Sequence, residues 1–222
     1  LGFDNPSKIF NKIYNFLKPG GCLVFTISDE VGLFSEKMRF LYSQIIIQKN
    51  NLNKKSYKEK VKFLAKVFKS HLDKLQAKTR TPEKWVQDMM LHYHMIQKDK
   101  YFSLLDLYKI IKEKKIIIKG QSPNFTTDYQ WYKKLKIQKY NQNIIKNYKN
   151  ERINFLDFEQ KFNSQDYIKK RKIINKIILV NKLINKMNIK NIEKSYIFKI
   201  LNKLNEISSS LNSLEKNNKV SL

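Results

Sequence analysis

Apolar residues recur along most of this chain at helical spacing and run on continuously in two places, and the two patterns predict its elements. Ile9, Phe10, Ile13, Tyr14 and Leu17 fall at helical spacing behind Asp4-Asn5-Pro6, a capping residue followed by proline at the first helical position. Lys18-Pro19-Gly20-Gly21 predicts the end of that helix and a sharp turn. Cys22 to Ile27 is then an unbroken apolar run of strand length, which suits a strand buried on both faces as in parallel sheets. Ser28-Asp29-Glu30 closes it. Helix, turn and buried strand together predict one half of an α/β unit.

A second helix is expected from about Val31 to Gln48, with a polar break from Asn50 to Ser56. Tyr57, Val61, Leu64, Phe68, His71 and Leu75 then follow at steps of four, three, four, three and four, one apolar stripe on an amphipathic helix. Thr81-Pro82 starts another helix, on which Trp85, Met89, His92 and Ile96 share a face. Ser103-Leu104-Leu105-Asp106 resembles a capping box opening a short helix through Ile111. Lys115 to Lys119 reads as a second strand, ended by Gly120 and Pro123.

Beyond about Tyr140 the periodicity weakens and Asn, Lys and Gln accumulate. Ile173, Ile177, Val180, Ile184 and Met187 then repeat at four-three-four-three, and Ile197, Ile200, Leu204, Ile207, Leu211 and Leu214 at three-four-three-four-three. The two registers do not join, since the heptad step from Met187 lands on Asn191 and Lys194. A turn near Asn188–Asn191 and a helical hairpin over about 168–215 are expected. Arms of about two heptads leave two fates open, packing onto the rest of the chain or oligomerisation through the hairpin.

Composition narrows the class. A chain that is 41% hydrophobic and 13% aromatic can bury a sizeable core, which excludes wholesale disorder. A single cysteine, Cys22, excludes a disulfide framework and a Cys-rich zinc site. No run reaches the roughly 18 apolar residues of a membrane span. The first residues carry no secretory pattern, so a cytoplasmic location is expected. The chain opens on Leu1 in what reads as mid-domain sequence, so an N-terminal truncation is expected as well.

The net charge is +26, and 41 of the 45 basic residues are lysine. Lysines neutralise phosphates and release counterions, which suits nucleic acid or an anionic membrane surface. Lysine also travels here with Asn, Ile, Tyr and Phe, as A/T-rich codons alone would produce, and base readers favour arginine's planar fork. Genome bias, nucleic-acid contact and membrane-surface contact are therefore three open readings. Lys169-Lys170-Arg171-Lys172 is the densest cluster on which to test them.

Candidate proton-transfer groups are few. His92 and His94 are two apart, a poor metal pair on a helix. Asp88 and His92 are four apart and share a face, so the carboxylate can orient the imidazole and raise its basicity. The alternative is an ordinary surface pair beside a packed Trp85. His71 lies on an apolar stripe and reads as a packing residue. Asp29 either faces a ligand at the carboxyl edge of the strand or caps the next helix.

The stretch from Asn5-Pro6 through Leu17-Lys18-Pro19-Gly20-Gly21 to the run from Cys22 resembles the second half of a class I S-adenosylmethionine-dependent methyltransferase. Trp85, Asp88, His92 and His94 are similar to a tryptophan, aspartate and two-histidine stretch of one bacterial subgroup. The resemblance covers roughly residues 1–130. It implies an α/β fold, the C-terminal half of a Rossmann-like sheet in residues 1–135 with lid helices over about 31–75, followed by a lysine-rich helical extension over 136–222. It further implies S-adenosylmethionine as cofactor and a small-molecule methyl acceptor. Gly2, Phe3 and Asp4 would touch the cofactor, Asp29, Arg39 and Trp85 the acceptor, and Asp88, His92 and His94 would move the proton. The family's glycine-rich cofactor loop has no counterpart here, since no Gly-x-Gly occurs. Weak cofactor binding by these residues alone is therefore expected. The alternative function is a lysine-rich helical module binding nucleic acid or an acidic partner.

Overall fold

The computed structural model describes residues 6–74, 80–92, 102–125, 137–156, 162 and 166–218. Its helices are α1 (Pro6–Asn15), α2 (Phe34–Lys49), α3 (Tyr57–Leu72), α4 (Pro82–Trp85), α5 (Leu104–Glu113), α6 (Ile137–Glu151), α7 (Tyr167–Lys186) and α8 (Lys194–Asn218). A π-helical segment, Val86–His92, continues α4, and short 3-10 turns occupy Leu52–Lys54 and Arg152–Leu156. Among the described residues there is no strand.

The chain forms two compact units, one drawn from Leu33–Asp99 and Leu179–Glu206, the other from Phe3–Gly32, Lys100–Ile178 and Ile207–Leu222. In the first unit α3 begins at a full capping box. Ser56 Oγ accepts from the Glu59 amide and Glu59 accepts from the Ser56 amide, satisfying two end groups that the helix itself leaves open. Val61, Leu64, Ala65, Phe68 and Leu72 on one side of α3 are buried against Ile46 and Ile47 of α2 and against Val86 and Met90 of the π segment. Of the stripe expected from the four-three spacing, Val61, Leu64 and Phe68 are buried, Tyr57 and His71 are exposed and Leu75 lies outside the described residues; Ala65 and Leu72 complete the buried side. Lys37 is buried in this unit, its ammonium donating to Asn185 Oδ1 at 2.6 Å.

In the second unit, Phe10 of α1, Leu104, Leu107 and Ile111 of α5, Ile144, Ile145 and Tyr148 of α6, and Phe125 form the core. The expected capping box at Ser103 is present, with Asp106 as its reciprocal partner. Arm α7 buries its whole heptad run, Ile173, Ile177, Val180, Ile184 and Met187, while α8 buries Ile200, Ile207 and Leu214 and leaves Ile197, Leu204 and Leu211 half-buried. Tyr196 Oη donates to the Leu183 carbonyl at 2.8 Å and Lys176 Nζ to Ser210 Oγ at 3.1 Å, so the arms run antiparallel.

Both expected strands are corrected. Residues 22–27 are non-helical but pair with no strand among the described residues. Leu23 and Ile27 are half-buried against the core and Phe25 meets Phe10 edge-on at 5.5 Å, while Val24 points outward, 89% exposed. The apolar run thus covers helices on one side only. A strand needs a paired backbone along at least one edge, and the described residues around it are helical.

Lys115, expected to begin the second strand, instead ends α5. Its φ of 54° is left-handed, and the Ile116 amide reaches back to the Ile111 carbonyl at 3.1 Å, the long bond of a Schellman stop. Residues 116–118 are then matched by a side chain. Asn141 donates to the Ile116 carbonyl at 2.6 Å and accepts from the Ile118 amide at 3.1 Å, standing where a neighbouring strand's backbone would. The incomplete Rossmann-like α/β sheet is therefore absent from the described residues, and their architecture is all-helical.

Candidate functional site

Asp29 sits at the end of the apolar run, and α6 brings its partners. Its Oδ1 accepts from the Val31 amide at 2.7 Å. Its Oδ2 accepts from Arg152 Nε at 2.7 Å and from the Tyr148 hydroxyl. Glu30 lies 3.7 Å from the same guanidinium. Burial, reinforced by the Asp29 charge, pushes the Tyr148 phenol far above its ordinary range. Burial works against the charge on Arg152, but Asp29 and Glu30 outweigh it and hold the guanidinium more firmly protonated than usual. Both carboxylate oxygens of Asp29 are thus engaged by protein groups. The geometry gives it the role of a turn and a tether, with Val31 buried directly behind.

In the first unit two of the expected acceptor residues meet. The Arg39 guanidinium lies over the Trp85 ring, 5.1 Å from its centre. Arg39 Nη1 donates to Glu36 Oε1 at 2.6 Å and Arg39 Nε donates to His71 Nε2 at 2.9 Å. Burial pushes the Glu36 carboxyl up, with Arg39 pulling the other way. Burial, then Arg39 and Lys74, hold the His71 imidazole below its ordinary value. His71 is therefore not a plain packing residue. Its ring sits at the edge of the stripe with a polar partner.

Asp88 is held by cations. Lys84 Nζ lies 3.2 Å away and Arg80 Nη1 3.4 Å away. The backbone of His92 closes the π segment and its side chain lies outside the described part, as do Gly2, Phe3, Asp4 and His94 altogether. Of the expected site, the described residues bring together Arg39 and Trp85 and leave Asp29 half-buried in the other unit. Among the described residues no group of His, Cys, Asp and Glu has the arrangement of a metal site.

Lysine accounts for the remaining polar surface. On α3, Lys58, Lys62 and Lys66 are exposed and fall four apart, one row along a flank of the helix beside its core face. Their neighbours Lys55 and Lys69 are matched by Glu59 at 3.4 Å and Asp73 at 2.6 Å. The three in the row meet no carboxylate among the described residues. The densest cluster in the sequence is less available. Lys170 is buried with its ammonium on the Phe162 carbonyl at 2.7 Å, and Lys169 pairs with Asp166 at 3.3 Å, which leaves Arg171 and Lys172 outward.

Tyr148, Arg152, Glu36 and Asn141 were not singled out from the sequence. Glu36 and Arg39 were readable in principle as a helical i, i+3 pair. The Asp29–Arg152 pair spans 123 positions, and no local pattern announces it.

Comparison with known proteins finds no matching family model, no matching curated protein and no matching solved structure. The methyltransferase resemblance thus rests on its own residues, and the Rossmann-like sheet it implied is missing from the described part. No helix of the described residues is long and apolar enough to cross a membrane.

Proposed function

We propose that this protein is a lysine-rich helical module that binds a polyanion, nucleic acid foremost, through the outer face of α3. The observation that carries the reading is the unneutralised row Lys58, Lys62 and Lys66 along the flank of a helix whose apolar face is locked into a core. A row of ammonium groups spaced by one fixed helix gains more from a polyanion than scattered lysines do, because only the side chains and not the backbone are ordered on contact. The surrounding charge of +26 adds long-range attraction that salt screens. Lysine as the cation and the scarcity of arginine favour contact with phosphates over reading of bases. Recognition is accordingly weak in sequence preference.

The test is binding of a fluorescent single-stranded oligonucleotide at several salt concentrations, comparing the natural chain with a Lys58→Gln, Lys62→Gln, Lys66→Gln variant. Each phosphate contact contributes about 0.7–0.9 to the slope of log K against log salt, so the triple variant should flatten the slope by about 2 to 3. An unchanged slope would remove α3 from the interface. An oligonucleotide that fails to bind even at low salt would remove the reading itself.

A further inference from the structure

The polyanion reading makes no use of the Glu36–Arg39–His71–Trp85 cluster, which joins three elements of one unit. Glu36 and Arg39 come from α2, His71 from the last turn of α3 and Trp85 from the end of α4. Arg39 is the hub, donating to Glu36 and to His71 and lying over the Trp85 ring. Its bond to His71 fixes the imidazole's state. A nitrogen that accepts from an N–H carries no proton, so the ring is neutral with its proton on Nδ1. A proton added at Nε2 turns the acceptor into a donor and sets a second positive charge 2.9 Å from Arg39 Nε.

We propose that this cluster is an acid-opened latch, in which one proton on His71 drives Arg39 out of its bonds and off the Trp85 ring, loosening α4 and the last turn of α3 from α2 above an apolar core that stays packed. Few other groups compete for that role. Facing His71 are Arg39 from α2, with Glu36 behind it, and Lys74 just beyond α3, while Asp88 on the π segment is engaged by Arg80 and Lys84. Neither Arg39 nor Lys74 stabilises an imidazolium, and Glu36, which engages Arg39 through Oε1, is not among the charges acting on His71. The burial and positive neighbours that hold His71 below its ordinary value give the sign. The latch contributes fully above the unfolded histidine value of about 6.5 and is lost as pH falls from there towards the folded-state value. Glu36 is pushed up, so its own protonation favours the folded state as pH falls, and its titration opposes the latch rather than imitating it.

Trp85 reports on the latch directly. The chain has two tryptophans, so Trp131→Phe leaves Trp85 as the single emitter. In the full chain carrying that change, Trp85 emission and the thermal midpoint should both shift between pH 7.5 and 5.5, with an apparent midpoint below about 6.5. His71→Gln should abolish the titration, because an amide oxygen still accepts from Arg39 but takes up no proton. His71→Lys should show the acid-form emission already at pH 7.5. Should His71→Gln fail to fold, Arg39→Gln serves instead and should abolish the acid response of Trp85, because no guanidinium is left for the imidazolium to expel. A flat natural chain, or a titration that survives His71→Gln or Arg39→Gln, would overturn the proposal.

Discussion

Arg152 shows how far one side chain's job departs from what composition suggests. In a chain with 45 basic residues, this one is buried, its guanidinium on Asp29 and Glu30 and close to the face of the Tyr148 ring at 5.9 Å. A buried ion pair adds little net stability over an apolar pair of the same shape, yet losing one member strands the other charge. Arg152→Ala should therefore cost about 3–5 kcal/mol. Tyr148→Phe, which removes one neutral donor and leaves the pair intact, should cost only about 1–2 kcal/mol. Urea unfolding of both variants checks the ordering, and equal losses would mean that the hydroxyl and not the ion pair holds the network. Such pairs were out of reach of the sequence, because proximity across 123 positions leaves no periodic trace. His71 was half legible. Its place on the α3 stripe followed from spacing, but its bond to Arg39 depended on where α2 packs.

Elements were legible where their signals were local. The capping box at Ser103 and the Val61, Leu64 and Phe68 face of α3 need only a few neighbouring residues to be decided, whereas the equally local box at Ser56 lies in what reads as a polar break. The heptad run of α7 is buried as its spacing requires, that of α8 at every second position. Residues 22–27 and 115–119 misled for one physical reason. An apolar run states that burial is favourable, whereas a strand also needs a backbone partner that the run cannot supply. Lys115 carries the sharper lesson, since its left-handed backbone belongs to a helix stop that is normally filled by glycine. An L side chain there costs about 1–2 kcal/mol against glycine in the same geometry, offset in part by glycine's looser unfolded chain. Lys115→Gly should then raise stability by about 0.5–1 kcal/mol without moving α5, as a shift in the denaturation midpoint at unchanged slope. A destabilised variant would show that the turn is held by the lysine side chain instead.

At the scale of the molecule, charge sets the terms. A balance of +26 on 222 residues makes the folded chain repel itself, and among the described residues few lysines pair with a carboxylate. Added salt should raise the thermal midpoint between about 50 and 500 mM as the screening length shortens from beyond 10 Å to a few ångströms. A midpoint that falls over this range would mean that the local pairs, such as Arg39–Glu36 and Lys69–Asp73, outweigh the repulsion. The overall class was the least legible feature. The resemblance in residues 5–27 spoke for a sheet, and what the described residues form around that stretch is a helical core.

The outward-pointing Val24, together with Phe16 at 88% exposure, gives that salt response a second side. Between Lys18 and Asp29 the chain carries no charge at all, so mutual repulsion from the rest of the surface is what holds two such greasy patches apart. The ions that steady each folded molecule also lower the colloidal barrier between molecules. Heat tolerance and solubility would then move in opposite directions on one titration, and Val24→Lys should part them by keeping the first and restoring the second.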